Sequence, residues 1–278
     1  MKNKQDPRAK SVAYRDAFKS TAWYYARYRP GYPKEFFDYL KERFRLKGTG
    51  RLLDLGCGTG ELAIPLARYF RQVIAMDPEP EMIVEAREKS NDGEITNIEW
   101  LEAGSDDLED LREEIGVLNL VTIGTAFHWM DRDATLQCLA SMLSANGAVV
   151  EAGTSGSKPT EWGQTAKAVI RKWLGETRRA GSGVYQVVNE RHEAIFARSP
   201  FRRIERYRNE YEYSWTVDSI VGFYLSTSYC SEYVLADRKD PFEKDLRQAL
   251  YEINPQGQFN ETRIVDAIIA WKEPEKHS

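Results

Sequence analysis

Ten residues, RLLDLGCGTG at positions 51–60, constrain this chain more than any other stretch. An apolar run carrying one carboxylate, Asp54, breaks into three glycines at alternate positions, Gly56, Gly58 and Gly60. The run reads as a short buried strand (52–56), and GELAIPLARYF (60–70) as the helix after it, with Pro65 tolerable near the first turn or at a kink. Glycine removes the Cβ that holds a ligand off the backbone and permits positive φ. The helix that follows offers N–H groups and a positive dipole end. A dinucleotide loop that cradles pyrophosphate is spaced G-x-G-x-x-G. Here the spacing is G-x-G-x-G, with an acid two residues ahead. That carboxylate would repel a pyrophosphate and suits a ligand carrying positive charge, such as an amino-acid ammonium or a sulfonium. The bland alternative is a plain strand-to-helix turn.

Around this loop the first half of the chain alternates strand and helix. KEFFDYLKERFRL (34–46) spaces its apolar residues three and four apart, as an amphipathic helix does. Strands are predicted at 72–77, 97–103, 117–124 and 147–153, and helices at 78–90 and 131–144, the last opening on Asp131 as N-cap. This alternation predicts an α/β fold, a doubly wound parallel sheet with helices on both faces, binding ligands outside the carboxyl ends of its strands. In the second half, 160–180, 217–226 and 240–252 read as helices, 181–183 as a loop, and 201–215 and 263–272 as strands completing the same sheet. Segments 155–200 and 223–255 are expected to pack over its edge as a cap.

Asp77 ends the second strand, 23 residues beyond Asp54. An acid about 20 residues past such a loop accepts hydrogen bonds from ribose hydroxyls; capping the helix from Pro78 is its structural alternative.

With 278 residues, 42% of them hydrophobic, the chain can bury one large core with a subsidiary cap. Its net charge of -4 disfavours a nucleic-acid partner. The basic stretch Arg202, Arg203, Arg206 and Arg208 is interleaved with Glu205 and Glu210 and reads as a solvated strand face. Cys57, Cys138 and Cys230 are too far apart for a metal cluster or a disulfide framework, which fits a reducing compartment. The N-terminus has no apolar leader, and no run approaches the ~18 apolar residues of a membrane span. The expectation is a cytoplasmic protein with no membrane association, as a monomer or homodimer.

LLDLGCGTG, Asp77, GSDDL (104–108) and TAFHWMD (125–131) together resemble the class I S-adenosylmethionine-dependent methyltransferases. YARYRPGYP (25–33) and YSWTVDSIVGFYLSTS (213–228) resemble the small-molecule branch that includes trans-aconitate and ubiquinone/menaquinone-biosynthesis enzymes. The resemblance covers nearly the whole chain and implies a seven-stranded, mostly parallel Rossmann-like sheet. It implies an N-terminal lid at 1–32, a cofactor-binding core at 33–154, and at 155–278 the rest of the sheet with a helical substrate cap. It implies S-adenosylmethionine as cofactor, a small-molecule methyl acceptor and no metal. None of these motifs identifies the acceptor.

By that resemblance Gly56, Gly58 and Gly60 pass the methionine moiety and Asp54 supports the site near its ammonium, with Cys57 filling space behind the turn. Asp77 and Pro78 border the ribose, and Met82 lies against adenine. The adenine amino group falls to Ser105, Asp106 or Asp107, with Asp106 favoured, although the acid pair equally serves to cap a helix. Thr125, Ala126, His128 and Trp129 follow the fourth strand, where methyl meets acceptor. His128, with a pKa near ~6.5, is a candidate base for an alcohol or amine, and with Trp129 a candidate donor to a carboxylate acceptor; a structural histidine is the alternative. Tyr28 and Arg29 are expected near the methionine end, and Tyr14, Phe18 and Tyr25 share a helical face in the same lid. Tyr224, Tyr229, Trp162, Trp173 and Arg198 are cap candidates for the acceptor pocket. Two other readings compete: a cofactor-binding regulatory protein without catalysis, and a nicotinamide-dependent dehydrogenase, which the glycine spacing disfavours.

Overall fold

The computed structural model describes residues 16–177, 179–184 and 190–272; Tyr14 lies outside them. In chain order the strands are β1 (Arg51–Leu55), β2 (Gln72–Asp77), β3 (Ile98–Glu102), β4 (Leu118–Gly124), β5 (Leu143–Gly156), β6 (Arg179–Ala180), β7 (Gly183–Val184), β8 (Arg203–Thr216) and β9 (Gln258–Trp271). Seven of them form one sheet in the order β3-β2-β1-β4-β5-β9-β8, while β6 and β7 pair separately. The pairs from β3 to β5 are parallel, and β9 runs antiparallel to both its neighbours. The order reverses between β1 and β4, so a crevice opens at their carboxyl ends.

The central strands are covered on both faces. Leu52, Leu53 and Leu55 of β1 and Val73, Ala75 and Met76 of β2 are fully buried, which is why these strands read as continuous apolar runs rather than alternating ones. One apolar layer joins Phe36, Leu40 and Leu66 to Val150 and Ile269. The opposite layer joins Phe127, Leu136, Ile195 and Phe196 to Val149 and Ile268. Segment 192–201 thus belongs largely to the core layer and not to the cap. Edge strand β8 turns Tyr207 and Tyr211 inward and keeps Arg203, Arg206 and Arg208 outward, where Arg206 pairs with Asp266 at 2.9 Å. A charged outer face suits an unpaired sheet edge.

The cap has its own core, in which helices Glu161–Leu174, Val217–Leu225 and Lys239–Ile253 bury Trp162, Trp215, Phe242 and Leu246. The helix expected over 160–180 stops at Leu174 because Gly175, at φ +76, turns the chain. The helix expected over 60–70 shrinks to Ala63–Ala67, since the glycine turn runs on past Gly60. No helix among the described residues is long and apolar enough to cross a membrane.

Helix Ala22–Tyr28 lies across the top, packed against Pro80–Asp92 on one side and Val217–Leu225 on the other. Arg27 pairs with Glu85 at 2.9 Å, and the Ser20 N–H donates to Glu81 Oε2 at 2.9 Å. On the cap side Tyr24 Oη donates to Glu232 Oε1 at 2.8 Å. The closest approach is Tyr28 against Gly222, where a Cβ would overlap the tyrosine ring.

Gly222→Val should therefore undock this helix, costing ~1–3 kcal/mol as overpacking does. The denaturation midpoint should fall and trypsin should cut faster after Arg27. An unchanged midpoint and cleavage rate would mean that the helix does not depend on the contact.

Candidate functional site

All three glycines of the turn have positive φ: +72 at Gly56, +53 at Gly58 and +87 at Gly60. A Cβ at Gly56 would meet Ala126 Cβ at 2.5 Å, and one at Gly60 would meet Ile64 Cδ1 at 2.7 Å and Trp100 at 3.0 Å. Gly60 is therefore required by internal packing, and it lines neither cavity described below. Gly58 is different: its nearest neighbour is the Tyr25 ring, at 3.5 Å.

Two carboxylates hold the turn. Asp54, 1% exposed, accepts from Thr122 Oγ1 at 2.7 Å and from the Ala63 N–H at 3.0 Å. It ties β1 to β4 and to the first residue of the following helix. Burial pushes its carboxyl up to about 7, against the lowering effect of those two bonds. Asp77 Oδ2 accepts from the Gly58 N–H at 2.9 Å, and Oδ1 from the Glu79 N–H at 3.0 Å. Burial raises its carboxyl to about 6. A carboxylate offers about four lone-pair sites, so each Asp77 oxygen keeps capacity for one more donor.

At the carboxyl ends of β1, β2 and β4 lies a cavity. Of the residues singled out in the sequence, Gly56, Gly58, Asp77, Pro78, Met82, Ser105, Asp106, Asp107, Thr125, Ala126 and Trp129 line it. Asp107 Oδ2 accepts from the Gly104 N–H at 2.7 Å and caps the 3-10 turn Ser105–Asp107; Asp106 beside it is exposed. A second, more polar cavity shares Tyr25, Gly56, Gly124 and Thr125 with the first and extends to Arg29, Asp54, Cys57, Thr154 and Arg263. Thr125, at the junction, has φ +54, unusual for a side chain branched at Cβ, and its N–H donates to the Ala152 carbonyl at 2.8 Å. Such backbone strain clusters at functional positions.

Some expected residues stand elsewhere. Tyr28 lines neither cavity, because its ring is spent on Gly222; Tyr25, one helical turn earlier, takes the place over the glycines. His128 lines neither cavity either: its ring packs on Trp129 at a centroid distance of 5.0 Å. Trp129 itself meets Phe18 edge-on at 5.4 Å, closing the wall between the N-terminal segment and the β4 loop. Cys57 is buried at the edge of the second cavity, and burial holds its thiol well above the ordinary range, so it is no nucleophile. None of the five cap candidates lines either of these two cavities. Trp162 and Tyr224 sit in the cap core, with Tyr229 packed against it. Trp173 donates to Asp245 at 2.8 Å, and Arg198 pairs on the surface with Asp133 and Glu190. Phe223, one position before Tyr224, does line the second cavity, as do Tyr32, Glu61, Thr154 and Arg263.

Residues 52–147 match the family described as "Methyltransferase domain". Over 126 residues the chain is 31% identical to "Probable S-adenosylmethionine-dependent methyltransferase CRG1" of Saccharomyces cerevisiae, covering 45% of this chain but 42% of the yeast protein's length. It is 25% identical over 214 residues to an uncharacterized methyltransferase of Mycobacterium bovis, covering 77% of each. The crystal structure of the Bacillus YcgJ protein has the same fold, with a TM-score of 0.53 and 14% identity over 87% of this chain and 99% of that one.

The raised Asp54 carboxyl gives a check on the turn's geometry. A folded-state value near 7, above the unfolded ~3.9, means the folded protein binds more protons, so Asp54 costs stability as pH rises through that interval. The stability difference between wild type and Asp54→Asn should fall between pH 5 and pH 8, by ~2–3 kcal/mol. Denaturant titrations at the two pH values read it; a difference that does not change with pH would contradict the burial of an ionisable Asp54.

Proposed function

We propose that the chain is a class I S-adenosylmethionine-dependent methyltransferase and that it transfers the methyl group of that cofactor to a small-molecule acceptor. The observation that carries this reading is Asp77 at the end of β2: both its oxygens are fixed by backbone N–H groups, and both retain acceptor capacity at the cavity wall. That is the chemistry a ribose diol requires.

The residues present fit the cofactor. Pro78 and Met82 offer apolar surface for the adenine, and Asp106 an acceptor for its amino group. Gly56 and Gly58 leave the backbone bare for the methionine chain. Arg29 reaches the second cavity with Nε on Ser226 Oγ at 2.8 Å and is assigned the methionine carboxylate through its remaining N–H groups. When bound, S-adenosylmethionine supplies an electrophilic methyl on a sulfonium sulfur.

The protein's part is positioning and water exclusion. Tyr25 stands at the junction of the two cavities, where its ring face favours a sulfonium by ~0.5–2 kcal/mol. Phe18 and Trp129 close the outer wall. The acceptor enters the second cavity and meets the methyl beside Thr125. His128 is assigned a positioning role through the Trp129 ring, and no general base is required of it.

Asp77→Ala should weaken S-adenosylhomocysteine binding about 10- to 100-fold, the scale of hydrogen bonds to a charged group. Calorimetry reads it, with Asp77→Asn as the variant that keeps a carbonyl oxygen to hold the Gly58 turn. Unchanged affinity in both would move the ribose contact elsewhere.

A further inference from the structure

Two arginines line the second cavity, and they differ in one respect. Arg29 has its Nε on Ser226 Oγ at 2.8 Å and its Nη2 on the Ser226 carbonyl at 3.2 Å. Arg263, on β9, is 5% exposed and donates from Nη1 to Glu261 Oε2 at 2.9 Å. Its Nη2 reaches only Thr154 Oγ1, at 3.4 Å, and its buried Nε has no hydrogen-bond partner. The Nε and Nη2 groups form one edge of the guanidinium, the edge that grips a carboxylate in two parallel bonds. Elsewhere in this chain that edge is used so. Arg43 holds Glu205 through Nε at 3.0 Å and Nη2 at 2.6 Å, and Arg198 holds Asp133 at 2.7 and 2.6 Å.

Leaving that edge unfilled inside the protein is costly, since a buried donor without a partner bears its full desolvation. The rest of the side chain is fixed for the purpose. Glu261 is itself braced by Trp215 Nε1 at 2.9 Å, and the guanidinium lies 5.5 Å from the Trp215 ring centroid. It is a rigid fork at the wall of the cavity.

We infer that Arg263 is the anchor for a carboxylate carried by the methyl acceptor, and so the residue that selects small acids as substrates. The inference rests on the methyltransferase reading above. The anchor is not placed for the cofactor's own carboxylate. That carboxylate is assigned to Arg29, and Arg263 enters the same cavity from β9, three strands from β1 in the sheet. The acceptor spans the second cavity, with its carboxylate on Arg263 and a second nucleophilic atom at the Thr125 junction.

The test uses wild-type protein, labelled S-adenosylmethionine and three acids: 4-hydroxybenzoate, 3-mercaptopropionate and glutarate. Each is run beside the analogue in which one carboxylate becomes a primary amide. At least one acid should be methylated with a KM about 10- to 100-fold below that of its amide. Arg263→Lys keeps a cation for Glu261 but loses the two-pronged edge. It should raise that KM to the level of the amide while leaving S-adenosylhomocysteine affinity, read by calorimetry, unchanged. The inference is overturned if amides serve as well as acids, if no acid is methylated by protein that binds S-adenosylhomocysteine, or if Arg263→Lys weakens only cofactor binding. Absence of S-adenosylhomocysteine binding by the wild type would instead sink the methyltransferase reading itself. Should the variant fail to fold, the comparison of acid with amide on wild type still decides.

Discussion

Two carboxylates at adjacent strand ends hold the site together. Asp54 joins β1 to β4 and to the start of the next helix, and Asp77 fixes the Gly58 N–H from the end of β2. Between them the chain reverses through three glycines at positive φ, a path open to few other residues. Neither acid is comfortable there, since burial raises both carboxyls towards neutrality. The desolvation is offset in part by the bonds each accepts, and at Asp77 spare acceptor capacity faces the cavity. The same carboxylate thus shapes the turn and offers itself to a ligand.

The remaining walls come from far along the chain. The N-terminal segment contributes Phe18 and Tyr25, its helix seated where Gly222 lets Tyr28 dock flush against the cap. The cap contributes Phe223, and β9 contributes Arg263 across Thr154 of β5. The cleft is therefore apolar on the side of Pro78 and Met82 and ionic on the side of the two arginines. That asymmetry suits two reactants bound end to end.

The fold was legible because each strand of the core carries its own signal: an apolar run, a turn and a helix of the right length. The glycine loop and Asp77 were legible for the same reason, since their geometry is local. What was not legible depends on distant partners. Tyr25 and Tyr28 sit three apart on one helical face, and only a glycine near residue 222 decides which of them packs and which faces the cavity. Phe223 and Tyr224 differ by one position, a rotation of about 100° on a helix, too fine for apolar spacing to resolve. Arg263 reads as a strand residue until Glu261, Trp215 and Thr154 are brought around it. Gly60 looks like its neighbouring glycines in sequence, and only the packing of Ile64 and Trp100 shows why a glycine is required there. Thr125 was singled out for its place after the fourth strand, but its positive φ left no mark in the sequence.

The central claim is that the cleft above β1, β2 and β4 holds S-adenosylmethionine through an ionised Asp77. Calorimetric titration of the wild-type protein with S-adenosylhomocysteine, repeated at pH 6 in buffers of different ionisation enthalpy, tests it most directly. The account predicts one ligand per chain with release of about half a proton, because ribose hydroxyls favour the ionised carboxylate and lower a group raised to about 6 by burial. No heat at any pH, or binding that takes up protons, would contradict it.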